Sequence, residues 1–103
     1  MEKKQYVLGV DLGTTSAKSV IMDLQGNAVG IGQLDNPLTY YKNGFAEIDG
    51  PQMIENIYAT TRLAIEQWNG DPKDIIGISF CMFRSTMVMR TEDGGFAVPI
   101  SIW

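Results

Sequence analysis

The sequence contains no histidine and only one cysteine among its 103 residues. A single cysteine cannot form an internal disulfide, and without histidine a zinc site of the Cys/His type is excluded. Serine or cysteine catalysis through an imidazole base is excluded for the same reason. Any chemistry of this chain must therefore use carboxylates, hydroxyls, Lys and Arg side chains, and backbone amides.

Basic residues and long apolar runs are also scarce. The chain has 8 Lys and Arg against 12 Asp and Glu, and a net charge of −4 argues against nucleic-acid binding, which needs a basic surface. The longest uncharged apolar run, 75–83, is far shorter than the roughly 20 residues of a membrane span. The amino-terminal residues lack the apolar core of a signal peptide. We therefore expect a soluble, cytoplasmic protein that binds neither nucleic acid nor membrane.

The apolar pattern predicts a three-stranded antiparallel meander at the start of the chain. Strands are expected over 6–10, 16–23 and 28–34. The segment Leu24-Gln-Gly-Asn27 is typical of a tight turn, because Gly26 and Asn27 tolerate positive φ. Tight turns of this kind join neighbouring strands in antiparallel pairs.

A helix is predicted after an irregular segment, 36–50. Pro51 suits its first turn, Asp49 or Gly50 suits its cap, and Asn69-Gly70 ends it. Glu47 and Asp49 resemble paired carboxylates for acid–base chemistry, but their position before a helix favours capping and solvation. Residues at helical spacing predict the buried face of the helix: Ile54, Ile57, Tyr58, Thr61, Ile65 and Trp68.

Further strands are predicted over 75–82, 85–91 and 98–103, with a hairpin turn at 92–95. The first is apolar enough to be a buried strand, in which Cys81 would be structural. A meander followed by a helix and a further, parallel strand is the ribonuclease-H-like order, so the predicted class is α/β with a mixed sheet. The last apolar run reaches Trp103 without a polar tail, which predicts that the protein continues.

The segment Asp11-Leu-Gly-Thr-Thr-Ser-Ala-Lys18, between the first two strands, carries the chemistry. Its glycine lets the backbone approach a ligand, and three consecutive hydroxyl residues add donors that can form a nest for phosphate oxygens. Its aspartate can hold Mg²⁺ directly or through water, and its lysine adds positive charge, an inventory that suits phosphoryl transfer. The alternative is a plain hairpin in which these residues only make the turn. The candidate site residues are Asp11, Gly13, Thr14, Thr15, Ser16 and Lys18.

The stretch DLGTTSAKSVIMDLQGNAV, residues 11–29, resembles the first phosphate-binding motif of the superfamily of actin, heat-shock chaperones and sugar kinases. The start of the heat-shock chaperones is also similar around Gly9 to Thr15, so this motif alone does not separate the two groups. Three further stretches resemble FGGY-type carbohydrate kinases: 16–18, the acidic segment 44–49, and 76–79 leading to 99–103. The resemblance covers the whole chain, which is similar to the N-terminal part of such a kinase.

This resemblance implies an actin-like ATPase lobe of ribonuclease-H-like fold, with residues 1–103 forming the N-terminal part of its domain. It implies ATP and Mg²⁺ as cofactors and a small sugar or polyol as substrate. Asp11 would be the Mg²⁺-associated carboxylate, Gly13 to Thr15 would contact the ATP phosphates, and Ser16 and Lys18 would be neighbours. No catalytic base is expected in the chain, because the family's base and adenosine site lie beyond residue 103.

Substrate contacts are implied at Met82, Arg84 and Trp103. The family often carries a Gln-Met-His type of pattern at the end of the strand after the first helix, whereas Phe80-Cys-Met-Phe-Arg84 keeps only the methionine. This departure argues against a typical xylulose kinase, and the spacing is more similar to the autoinducer-sugar kinases. Arg84 can alternatively be a solvated residue at a strand end, and Trp103 a core residue.

Two other functions stay open. The same turn would suit an ATP-binding chaperone-like or regulatory module, which a peptide-binding domain after Trp103 would reveal, whereas a kinase would continue into a second lobe. The chain could also be a folded fragment without kinase activity. Such a fragment would expose the face that meets the rest of its lobe, so a homodimer is a further expectation.

Overall fold

A computed structural model describes residues 4–13, 15–36, 38–40, 46–81, 91–95 and 100–101. Its elements are β1 (Tyr6–Leu12), β2 (Ser16–Asp23), β3 (Ala28–Asp35), β4 (Leu38–Tyr40), β5 (Ala46–Ile48), α1 (Gly50–Trp68), a 3-10 turn (Pro72–Asp74), β6 (Ile75–Cys81) and β7 (Ile100–Ser101). The strand predicted over 85–91 lies outside the described residues except for Thr91. The turn predicted at 92–95 is confirmed, since Thr91 N–H donates to the Gly95 carbonyl at 3.0 Å.

The main sheet has the strand order β3-β2-β1-β6. β1 pairs with β2 and β2 with β3 in antiparallel fashion, whereas β1 and β6 run parallel. The predicted meander, the parallel strand after the helix and the mixed α/β class are therefore confirmed. A second, antiparallel sheet has the order β4-β5-β7. Its first two strands fall in the segment predicted to be irregular, and that prediction is wrong because three residues are too few to show an alternating pattern.

Helix α1 begins and ends where the sequence predicts. The Asp49 side chain caps its amino terminus by accepting a hydrogen bond from Gln52 N–H at 3.0 Å, and Pro51 lies in the first turn. Asn69 ends the helix in the left-handed conformation, with φ of 58°, and its N–H donates to the Ile65 carbonyl at 2.8 Å. No helix in the described part of the chain is long and apolar enough to cross a membrane.

The buried face of α1 differs from the predicted one. The fully buried helical side chains include Met53, Asn56, Thr60 and Ala64, whereas Tyr58, which was expected inside, is 57% exposed. Other members of the predicted face, such as Ile57, Ile65 and Trp68, are half-buried. The helix buries smaller side chains than predicted, such as Thr60 and Ala64, because these allow its backbone to approach the sheet closely.

Two glycines of β3 explain this close approach. A Cβ at Gly30 would lie 2.2 Å from the Ala64 carbonyl oxygen, and one at Gly32 would lie 2.0 Å from the Thr60 carbonyl oxygen. The helix backbone therefore rests directly on the strand. Beside this contact the hydroxyls of Ser19 on β2 and Thr60 share a hydrogen bond of 2.8 Å, and both residues are fully buried.

The main core lies between α1 and the central strands of the sheet. Its buried members are Leu8, Val10, Leu12, Ala17, Ile21 and Ala64. At its margin the rings of Tyr6 and Trp68 pack with their centroids 4.7 Å apart. At the edge of the sheet, the Gln67 side-chain oxygen accepts a hydrogen bond from Ile31 N–H of β3 at 2.6 Å.

Strand β6 is exposed, although its apolar sequence predicts a buried strand. Ile76, Ile78 and Phe80 are 55%, 61% and 56% exposed, and Cys81 is exposed as well. The physical reason is its position in the sheet. Helix α1 packs mainly on β2 and β3, whereas β6 lies on the other side of β1.

The turn between β2 and β3 is organised by the Asp23 carboxylate. It accepts hydrogen bonds from Gln25 N–H at 3.0 Å, Asn27 N–H at 2.9 Å and the Asn27 side-chain amide at 2.9 Å. These donors hold the pKa of Asp23 below its usual value, and the Asn27 side chain has the largest effect. Gly26 has a φ of +90°, which confirms the turn predicted from Gly26-Asn27.

Candidate functional site

The turn between β1 and β2 lies at one end of the main sheet. Gly13 N–H donates to the Ser16 carbonyl oxygen at 2.9 Å, which closes the turn. A Cβ at position 13 would lie only 3.1 Å from that oxygen, so the closure favours glycine. Thr15 is exposed, whereas Gly13 and Ser16 are half-buried. The turn therefore places hydroxyl-bearing residues at an accessible end of the sheet.

Four exposed side chains form a row across the sheet face opposite α1. Strand pairing places them side by side in the order Gln33, Lys18, Asp11 and Cys81, one from each strand. We refer to them as the polar row. The Gln33 side-chain amide donates to the Ser16 hydroxyl at 3.4 Å, so the polar row is continuous with the turn.

Asp11 and Lys18 are the two charged members of the polar row. They are direct partners in the antiparallel β1–β2 pair, so their Cβ atoms lie about 4.5–5.5 Å apart on the same face. Asp11 is two residues before Gly13, which brings its carboxylate to the end of β1 that adjoins the turn. An anionic group for a cation and a cationic group for a phosphate thus stand together beside the hydroxyls.

This arrangement suits Mg²⁺ bound together with a phosphate ligand. Among the residues that the structure describes, no cluster of three or more His, Cys, Asp or Glu side chains could cage a metal. Mg²⁺ does not need one, because it keeps several waters and is held through one or two carboxylates plus substrate phosphates. Asp11, exposed at the sheet end, can supply such a single carboxylate.

Two buried asparagines, Asn36 and Asn56, support the turn through hydrogen bonds, and the sequence did not single them out. Asn36 uses its side-chain amide to donate to the Gly13 carbonyl oxygen at 2.6 Å and its backbone N–H to donate to the Thr15 carbonyl oxygen at 2.8 Å. The Asn56 amide from α1 donates to the Asp35 carbonyl at 3.2 Å and to the Asn36 side-chain oxygen at 3.5 Å. Asn36 follows β3 and precedes Pro37, a position that reads in the sequence as an ordinary loop residue.

The predicted site residues fall into two groups. Asp11, Gly13, Thr15, Ser16 and Lys18 are brought together at the turn and the polar row. Those outside the described residues are Thr14, Met82, Arg84 and Trp103. Cys81, expected as a structural side chain in a buried strand, is instead exposed beside Asp11, because β6 is not covered by the helix.

Comparison with known sequences identifies relatives over almost the whole chain. The family model described as the FGGY family of carbohydrate kinases, N-terminal domain, matches residues 6–103. A glycerol kinase of Thermococcus gammatolerans is 30% identical over 100 residues, which cover 97% of this chain and 20% of the relative. A glycerol kinase of Francisella philomiragia is 33% identical over 92 residues, covering 89% and 18%. The chain thus spans about a fifth of the length of these relatives.

Solved structures with the same fold include other carbohydrate kinases. A gluconate kinase from Lactobacillus acidophilus superposes with a TM-score of 0.82 at 26% identity, over 96% of this chain and 19% of that one. A xylulose kinase from Rhodospirillum rubrum superposes with a TM-score of 0.85 at 23% identity, over 95% of this chain and 20% of that one. At that identity the second likeness bears on the fold alone.

Proposed function

Because the chain belongs to the FGGY family of carbohydrate kinases, we propose that the protein containing it transfers the terminal phosphoryl group of ATP to a hydroxyl of a sugar or polyol. The family places the α/β fold in the ribonuclease-H-like, actin-like ATPase class that the sequence predicts. In this proposal residues 1–103 form the N-terminal part of the first kinase domain. The remainder of that domain and a second lobe would supply the catalytic base and the adenosine site.

One observation carries the proposed role of the β1–β2 turn. Asp11 and Lys18 face the same side of the sheet as direct partners, and the turn that follows Asp11 carries Thr15 and Ser16 beside them. A phosphate group placed here would meet hydroxyl donors and an ammonium group, while a hard cation would meet a carboxylate. A hairpin made only to reverse the chain would not need this combination.

The proposed mechanism relies on orientation and charge rather than on covalent chemistry of the protein. When bound, Mg²⁺ would neutralise negative charge on the phosphate oxygens, and Asp11 is the residue that would hold the ion. The turn, with Gly13, Thr14, Thr15 and Ser16, orients the phosphates, and Lys18 offsets their negative charge. The base that accepts the proton of the attacking hydroxyl is proposed to come from the part of the protein after residue 103.

The substrate class follows from the relatives only in outline. Proteins named glycerol kinase and gluconate kinase act on small molecules rich in hydroxyl groups, which suggests a polyol or aldonate as acceptor. We propose that Met82, Arg84 and Trp103 contact this acceptor, with Arg84 bonding a hydroxyl and Trp103 packing on an apolar sugar face. We propose that the enzyme works in the cytoplasm, where ATP is supplied.

The test of the proposed function is an acceptor screen with the full protein that carries this chain. ADP release is measured with polyols, aldonates, pentuloses and autoinducer-type sugars, and at least one acceptor must stimulate it. Asp11→Ala should then lower kcat/KM by at least about 100-fold, the scale of losing one charge-stabilising group in an active site, with little change in folding. Glu66→Ala removes an exposed carboxylate of α1, outside the turn and the polar row, and should leave turnover unchanged. Near-normal turnover by Asp11→Ala would refute the role assigned to Asp11, and a screen without any acceptor would refute the kinase function.

A further inference from the structure

Asn36 is a buried polar residue whose hydrogen bonds all converge on the β1–β2 turn and its support. Only 7% of its surface is exposed. Its side-chain amide binds the Gly13 carbonyl at 2.6 Å, and its backbone N–H binds the Thr15 carbonyl at 2.8 Å. The side chain of Asn36 therefore holds the Gly13 carbonyl, while its backbone N–H continues the β2–β3 pairing and holds the Thr15 carbonyl in any variant.

The direction of these carbonyl groups matters for an anion. A phosphate is attracted by N–H groups and repelled by carbonyl oxygens, so a turn that binds phosphate must keep its carbonyls pointing away from the ligand. A planar trans peptide places N–H and C=O on opposite sides, so a carbonyl that faces Asn36 leaves the N–H of the same peptide facing the other way. The Thr15 carbonyl bond fixes the Ser16 N–H in this manner.

We infer that Asn36 is a positioning residue whose side chain preorganises the β1–β2 turn for phosphate by holding the Gly13 carbonyl away from the ligand. The inference rests on the proposed function, because it takes the phosphates of Mg–ATP as the ligand of the turn. Asn36 does not touch the ligand itself. Its effect passes through the backbone of the turn, as a supporting residue acts on a binding group.

Helix α1 fixes the orientation of the Asn36 amide. The Asn56 amide, on a residue only 5% exposed, donates to the Asn36 side-chain oxygen at 3.5 Å, which leaves the Asn36 amide nitrogen toward Gly13. Asn56 is held in turn by the Asp35 carbonyl at 3.2 Å and by the Gln52 amide, which donates to its side-chain oxygen at 3.0 Å. The turn is thus tied by side-chain amides to the first half of α1.

The experiment compares Mg–ATP binding and turnover for substitutions at Asn36 in the full protein. Asn36→Asp keeps the shape but places an oxygen where the amide nitrogen met the Gly13 carbonyl, and Asn36→Ser shortens the side chain beyond reach. Both should raise the dissociation constant of Mg–ATP and its KM about tenfold, which equals about 1.4 kcal/mol. The KM for the carbohydrate acceptor should change less than about twofold, because only the nucleotide side of the reaction uses the turn.

Ile21→Val is the matched control for a purely structural effect. Ile21 is fully buried on β2 within the core, and it has no part in the hydrogen bonds to the turn. The thermal unfolding midpoint is measured for every variant, so the loss of Mg–ATP affinity can be compared at similar loss of stability. If either Asn36 variant does not fold, the other one decides the question, and Asn56→Ser, which frees the Asn36 amide to rotate, gives a third and milder test.

The outcomes separate the two proposals. A selective loss of Mg–ATP affinity in the Asn36 variants, absent in Ile21→Val, supports the positioning role. Wild-type affinity in the Asn36 variants, or a loss equal to that of Ile21→Val at the same stability, overturns it. A wild-type protein that binds Mg–ATP and phosphorylates no carbohydrate refutes the proposed function, and calorimetric titration with Mg–ATP then still decides the role of Asn36. Absence of Mg–ATP binding by the wild-type protein overturns the positioning role.

Discussion

Substitution of Gly32 by alanine tests the closest contact in the fold. A Cβ at this position would lie 2.0 Å from the Thr60 carbonyl oxygen and 2.8 Å from the Leu63 Cβ. An ordinary contact begins near 3.4 Å, so α1 must retreat by about 1.4 Å. A retreat of this size would lengthen the 2.8 Å hydrogen bond between Ser19 and Thr60 beyond hydrogen-bond range.

The magnitude follows from these two effects. Overpacking costs about 1–3 kcal/mol, and parting two buried hydroxyls adds about 1–3 kcal/mol. The second cost lies toward the lower end, because the Thr60 hydroxyl keeps its hydrogen bond to the Ile57 carbonyl at 3.0 Å. Alanine also reduces the entropy of the unfolded chain, which returns about 0.4–1 kcal/mol. We therefore expect Gly32→Ala to lower the free energy of opening of this region by about 2–4 kcal/mol.

Hydrogen–deuterium exchange of the α1 amides measures this loss within a larger protein. A change of about 2–4 kcal/mol corresponds to opening that is roughly 30- to 700-fold more frequent. Gly77→Ala is the matched control, since a Cβ on β6 at this position meets nothing within 4 Å. It should change exchange by less than about threefold. Equal exchange in Gly32→Ala and Gly77→Ala would refute the argument that the helix rests on the β3 backbone.

Two smaller changes probe the helix cap and the β2–β3 turn. Asp49→Ala should destabilise α1 by about 1 kcal/mol, because Gln52 N–H loses its acceptor. Asp49→Asn keeps an acceptor and should retain most of this stability. A wild-type hydrogen-exchange rate for the first helical turn of Asp49→Ala would contradict the capping role. Asn27→Ala should raise the pKa of Asp23 toward the ordinary value of 3.8. Because the folded-state pKa of Asp23 is lowered, its contribution to stability is full above that ordinary value and disappears as the pH falls through the folded-state value, so the difference in unfolding midpoint between wild type and Asn27→Ala should shrink in acid. A difference that is equal at pH 7 and in strong acid would contradict this.

The sequence was sufficient to predict the elements whose signals are local. Tight-turn residues such as Gly26 and Asn27, and helix signals such as Asp49 and Pro51, specify the meander and α1 within a few residues. The phosphate-binding candidates were also accessible from sequence, because the aspartate, the glycine and the hydroxyl residues are consecutive. Strand pairing then places Lys18 directly beside Asp11.

Features that depend on partners distant in sequence were not predictable in the same way. Periodicity gives weight to large apolar side chains, so it selected Tyr58 and could not foresee that Gly32 would draw Thr60 inward. Apolar composition predicted burial of β6, but coverage depends on where the helix packs. Asn36 escaped notice since its acceptor on Gly13 is 23 residues away in the chain.

The hydrogen bond from Ile31 to Gln67 has a consequence for how this sheet can grow. An outer strand with unpaired backbone groups is a template for pairing with a foreign chain, and β3 is the outer strand on one side of the described sheet. A helix side chain occupies the Ile31 N–H there at 2.6 Å. The Gly30 and Gly32 contacts keep the helix beside that strand. The Ile31 N–H is therefore not available to a foreign strand, which disfavours edge-to-edge pairing at this position of β3.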